Sequence, residues 1–229
     1  MRSGGKRREG LTTERIVRAA IAHADKDGIG SLTMRGLAER LGAKPMSLYY
    51  HVASKDQLLG AMTTAVLSEV ELPARGAEWK RALRATAIDY HEVLLRHSWA
   101  AGLMLSSSGA DQVRMEYMES ILRTLREGGL SPVITDRAYH AIESHILGYT
   151  LWVVGMNLGT EEDVAALAKA FLPSIPRDVY PYTAEHIEQH LLSREPGEDF
   201  AFGLDLILDG LERFIDPDDA RPDAAPGTS

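Results

Sequence analysis

Between residues 44 and 55 the chain places Lys44, Ser47, Tyr49, Tyr50, His51 and Lys55, with Met46 among them. Two ammonium groups, two phenols, a hydroxyl and an imidazole at this density are hydrogen-bond donors suited to a polyanion. Nothing completes a catalytic set from them. There is no cysteine, which excludes disulfides, thiolate zinc sites and thiol catalysis. The chain offers no G-x-S-x-G elbow, no phosphate-cradling glycine loop and no paired catalytic carboxylates, so no enzymatic activity is expected. His186 and His190 stand four apart, but Glu188 between them breaks the H-E-x-x-H order. The pair reads as solvated surface, and neither a metal nor a cofactor is expected.

The charge distribution agrees with a polyanion partner for one part of the chain only. Across 229 residues the net charge is −8, yet residues 1–55 hold 11 Lys/Arg against 5 Asp/Glu. The remainder holds 14 against 28, so a small basic module precedes an acidic body. The composition is that of a globular chain, 45% hydrophobic and 25% charged. No run approaches the ~18 apolar residues that cross a bilayer, and the basic N-terminus lacks the apolar stretch of a signal peptide. A cytoplasmic protein without membrane contact is expected.

The elements that must position these residues are helical throughout. Residues 1–10 read as a disordered basic arm, with Arg2, Lys6, Arg7 and Arg8 available for nonspecific contact. A first helix begins at Thr12 or Thr13, carries Ile16, Val17, Ala20, Ile21 and Ala24 on one apolar face, and stops at Gly28. Thr33 caps a second helix ending at Gly42, with Leu32 and Leu37 placed as a hydrophobic staple. Pro45 opens a short third helix whose inward residue is Leu48. Ser54-Lys55-Asp56-Gln57 matches a capping box at the head of a long fourth helix. Further helices are expected over 79–97, 112–127, 132–157, from 161, over 183–192 and over 200–215. Residues 173–182 form a proline-rich loop and 216–229 a disordered tail. The domain division is therefore 11–55, a linking helix over 56–73, and a body over 74–215.

Residues 32–51 form two short helices around a glycine turn, the helix-turn-helix pattern. The stretch TMRGLAERLGAKPMSLYYHVASKDQLL closely resembles the DNA-binding domain of the tetracycline-repressor (TetR) family, over residues 12–70. The resemblance implies an all-α chain. An N-terminal three-helix DNA-binding domain would join an all-helical ligand-binding and dimerisation domain. It implies phosphate or nearby base contact for Arg35 and base-edge contact for Lys44, Met46 and Ser47. It implies backbone contact for Tyr49, His51 and Lys55, and either role for Tyr50. Met46 has no hydrogen-bonding match to a base and suits a thymine methyl.

The last helix repeats Phe200, Leu204, Ile207, Leu211 and Phe214 at spacings of four and three, a heptad-like stripe. Packing within one protomer would use such a stripe equally well; the resemblance favours a homodimer seam shared with the helix at 132–157. The body, with LREGGLS followed by HILGYTL, resembles more loosely the C-terminal domain of the same family. His145, Tyr149, Trp152 and Met156 make one mixed stripe. With His91, Trp99, Met104, Met115 and Met118 they are candidates to line an apolar, adaptable pocket, or else core and seam. Family members that chelate magnesium–tetracycline use a histidine and a glutamate. In this chain the glutamate's place falls on Met156, and the stretch near Leu105 has no histidine. An uncharged or modestly polar organic ligand is expected instead. The expected function is a transcriptional regulator on a palindromic duplex operator, a repressor released by such a ligand. The alternative is an activator, or a regulator answering to a protein partner.

Overall fold

The computed structural model describes residues 10–106, 111–156, 161–191 and 197–215. The basic arm before Gly10 and the tail after Ile215 lie outside the described residues, as do Asn157 and Leu192 at two expected helix ends. Eleven α-helices and no strand occur among the described residues.

The first three helices form a tight unit. α1 (Thr13–Asp27) is capped by Thr12, whose hydroxyl accepts from Arg15 N at 3.2 Å. α2 (Met34–Leu41) is capped by Thr33, which accepts from Gly36 N at 3.1 Å. Gly42 then adopts left-handed φ 64°, a conformation that costs an L side chain about 1 kcal/mol or more, and turns the chain toward α3. α3 (Pro45–Tyr49) has proline at its first position and buries Leu48. Leu32, Leu37, Ala38 and Val52 close the core beneath it. Asp27 adds an ion pair across the unit, accepting from Arg40 Nη2 at 2.9 Å.

α4 (Lys55–Leu67) starts with a shifted capping box. Ser54 Oγ accepts from Gln57 N at 3.0 Å, while Gln57 Oε1 accepts from Ala53 N, one residue before the cap. The helix ends at Leu67, and the chain turns over buried Val70 and Pro73 before re-entering helix. The body comprises α5 (Trp79–Arg96), α6 (Ala100–Ser106), α7 (Gln112–Glu127), α8 (Pro132–Gly155), α9 (Glu161–Phe171), α10 (Pro181–Gln189) and α11 (Glu198–Leu211). α8 is the centre, packing against α5, α6, α7 and α11. α6 was not expected from sequence. Its segment AAGLMLS carries no charged residue and no polar face, and tertiary contact with α4 and α8 holds it helical.

α11 turns most of the expected stripe toward the protomer's own core. Phe200, Leu204 and Leu211 are buried with Leu208 in the protomer's own core, against α5 and α8. Ile207 is half-buried, and Phe214 lies past the helix end in a 3₁₀ turn. The physical reason is the period: apolar spacing of four and three selects the face with most contact partners, and here those partners are intramolecular. The outward apolar residues of α11 are Phe202 and Leu206, 65% and 60% exposed.

Candidate nucleic-acid interface and effector body

The groove-facing candidates stand on a rigid support. Leu48 and Val52, both buried, pin α3 from behind, and Thr13 Oγ1 donates to the His51 carbonyl at 3.4 Å. Outward from this base project Met46, 71% exposed, and Tyr50, 91% exposed. Lys44, Tyr49, His51 and Lys55 are also exposed, and Ser47 is half-buried. Arg35 is exposed on α2, its Nε donating to Glu39 Oε1 at 3.1 Å, an i,i+4 pair that holds the guanidinium along the helix surface. Lys55 sits at the first position of α4, where unpaired backbone N–H groups favour an anion. Cationic and phenolic groups thus surround a thin helix whose exposed tip is apolar and aromatic.

The body candidates divide among several places instead of lining one. His91, His145 and Tyr149 gather around Phe200: the His91 ring stacks on Phe200 at 4.1 Å, His145 at 4.8 Å, and Tyr149 meets it edge-on. Thr150 spends its one hydroxyl proton on the Ile146 carbonyl, so His91 Nδ1 donates to Thr150 Oγ1 at 2.7 Å. Burial, with His145 nearby, pushes the His91 pKa down to about 4. His145 Nε2 donates to the Phe200 carbonyl at 2.9 Å. Glycine is required at 203 because a Cβ there would stand 2.6 Å from His145 Cε1. Trp99 lies elsewhere, buried against the DNA-binding unit, and Met104 is buried beside Tyr90. Met115, Met118, Trp152 and Met156 are exposed on the outer surfaces of α7 and α8.

A different set, absent from the sequence reading, meets in the middle of the body. Tyr117 on α7 donates its phenol to Glu143 Oε1 on α8. Tyr90 on α5 packs edge-on against Tyr117 at 5.3 Å and donates to Met104 Sδ at 2.9 Å. Burial raises the Glu143 pKa, against the opposing pull of the Tyr117 hydroxyl and of Arg114. Burial and then Glu143 hold the Tyr117 phenol well above its ordinary value, and the Tyr139 pKa rises to about 12 for the same reasons. Sequence offered one usable signal, a glutamate on a helix face shared with Tyr139 and Ile146.

Polar contacts tie the two parts together. Asp25 on α1 accepts from Trp99 Nε1 and pairs with His97 Nδ1 at 2.8 Å. Glu69, just past α4, meets the other face of His97 at 3.3 Å and Arg96 at 3.1 Å. Thr64 on α4 donates to Asp111 at 2.8 Å, and Asp111 in turn caps α7. Any shift of α6 or α7 in the body is therefore mechanically connected to α1 and α4.

Comparison with known proteins follows this division. Residues 10–62 match the model of bacterial regulatory proteins of the tetR family, and residues 72–215 match the tetracyclin repressor-like C-terminal domain. The chain is 32% identical to the class D tetracycline repressor protein of Escherichia coli over 205 residues, 88% of this chain and 89% of that one. The structure of ActR, a TetR family protein of Streptomyces coelicolor in complex with actinorhodin, superposes with a TM-score of 0.76 at 27% identity, covering 89% of this chain and 98% of that one. BioQ bound to its double-stranded DNA operator superposes at 0.65 with 26% identity, covering 89% and 99%. With a family model matching well over half its length, the chain belongs to the TetR family of bacterial regulatory proteins.

Proposed function

We propose that the chain is a dimeric transcriptional repressor that holds a palindromic operator through α3 and releases it when a small organic molecule enters the body. The observation that carries this reading is the exposed Met46–Tyr50 tip of α3, ringed by Lys44, Tyr49, His51 and Lys55 and buttressed by Leu48 and Val52. A single α3 offers few base contacts, and two-fold pairing over adjacent major grooves about 34–36 Å apart supplies the rest. The DNA-binding unit is assigned to 11–55, the link to 56–73 and the effector and dimerisation body to 74–215. The complex of ActR with actinorhodin supports a small organic effector. In this chain the polar centre around Tyr117 and Glu143 is the best-equipped place to sense one, because a carboxylate kept in a core at a cost in stability needs a function.

The mechanism is a population shift. An effector that prefers the non-binding conformation ~100-fold supplies about 2.7 kcal/mol of coupling per site. That coupling passes through the Asp25–Trp99 and Thr64–Asp111 contacts to α1 and α4. Selection of bound sequences from a random duplex pool tests the proposal. Enrichment of a palindrome with half-sites one helical turn apart supports it, and failure to enrich any sequence at low salt overturns it.

A further inference from the structure

His186 and His190 stand one turn apart on α10, and their Nε2 atoms approach to 3.4 Å with the rings at 85° to one another. One imidazole N–H donates to the other ring's nitrogen across this distance. The distance equals the bite of a tetrahedral ion: two imidazole nitrogens at about 2.0–2.1 Å from zinc stand about 3.3–3.4 Å apart. The spacing is also the one with which a helix presents two histidines to a single ion in the H-E-x-x-H arrangement. Here Ile187 follows the first histidine, and the nearby Glu188 carboxylate is taken by Arg177. The pair therefore has the grip of such a site without its hydrolytic base.

The support beneath the pair is adequate. α10 starts with Pro181, buries Ala184, and packs against α9 and the 3₁₀ turn before it. His186 is exposed and His190 half-buried, which leaves the pair at the protein surface. We infer that His186 and His190 form a two-histidine chelate for a borderline divalent transition ion, Cu²⁺ or Zn²⁺. Imidazole donors select these ions over Mg²⁺ and Ca²⁺, and the Irving–Williams order places Cu²⁺ above Zn²⁺. The site is independent of the operator and effector sites.

Calorimetric titration of the untagged full chain with Cu²⁺ and with Zn²⁺ at neutral pH tests this. The expected result is one site per chain, tighter for Cu²⁺, unaffected by excess Mg²⁺, and lost on acidification as protons displace the ion. His186→Ala and His190→Ala should each weaken it by roughly tenfold or more, the double variant should abolish it, and His140→Ala on α8 should leave it unchanged. Unchanged helical circular dichroism would show that the variants fold. A wild-type chain that takes up neither ion, or a site that survives in the double variant, overturns the inference.

Discussion

Trp99 Nε1 donates to Asp25 Oδ1 at 2.7 Å, joining the residue before α6 to the last turn of α1 across 74 positions of sequence. The same carboxylate meets His97 Nδ1, so one Asp side chain holds two groups of the body against the DNA-binding unit. Trp99→Phe keeps the buried ring and removes one charge-assisted bond, and should cost about 1–2 kcal/mol of stability. Asp25→Ala leaves both nitrogens without that acceptor and should cost more, about 2–3 kcal/mol. Urea unfolding followed by circular dichroism distinguishes these losses. Equal and negligible effects from both would show that the contact does not join the two parts.

This contact marks where sequence reading stopped. The caps at Thr12, Thr33 and Ser54 are local, so each helix start in the DNA-binding unit could be read from a few consecutive residues. The helix-turn-helix tip was readable for the same reason. Asp25–Trp99 and Tyr117–Glu143 join residues far apart in the chain, and no spacing rule brings such partners together. α6 failed differently: seven residues without a charge or a polar face have no helical signature outside the packed body. The stripe at 200–211 was visible as apolar periodicity, but periodicity does not say whether the buried face meets this chain or a second copy.

On the operator, the two kinds of contact should separate. Lys55→Ala should weaken binding to all duplexes alike and reduce the salt slope by about 1. Tyr50→Ala should instead change the ranking among operator variants, by about 1–3 kcal/mol at the affected base pair. Fluorescence anisotropy at several salt concentrations measures both. Identical behaviour of the two variants would contradict the assignment of Tyr50 to the groove and Lys55 to the backbone.

His91 should make the protein sensitive to mild acid. Its folded pKa is pushed down to about 4 from the ordinary 6.5, so between these values the unfolded chain binds the extra proton and the folded chain does not. Stability from this group is complete above pH ~6.5 and is lost as pH falls toward ~4, by roughly 2 kcal/mol once partial screening is allowed for. His91→Gln should remove this dependence, so the wild-type-minus-variant stability should fall by that amount as pH drops through the window. A difference that does not change with pH would place the imidazole in water.

Glu143 has the opposite sign. Burial raises its folded pKa above 4.5, so its favourable contribution is present below the unfolded value and is lost as pH rises through the folded one. Near neutral pH the buried carboxylate is a liability. Glu143→Gln still accepts the Tyr117 hydroxyl but carries no charge, and should raise stability by on the order of 1 kcal/mol at pH 7–8, with no gain below about pH 4. If the carboxylate is kept for effector recognition, the stabilised variant should hold its operator and respond less to effector. Loss of stability at neutral pH would refute the electrostatic account.

The outward face of α11 offers a test of the proposed assembly. Phe202 and Leu206 expose large apolar surface on a helix whose other face is already committed to α5 and α8, and in a dimeric regulator that surface belongs in the seam. Phe202→Asp combined with Leu206→Glu should therefore give a folded monomer by light scattering, with helical content unchanged. Operator affinity should fall with it, because two linked recognition helices become one. Phe200→Ala, on the buried face, should instead lower stability by about 3–5 kcal/mol, since it removes the ring on which His91 and His145 stack. A double variant that remains dimeric would move the seam to another surface, with the exposed end of α8 at Trp152 and Met156 the next to substitute.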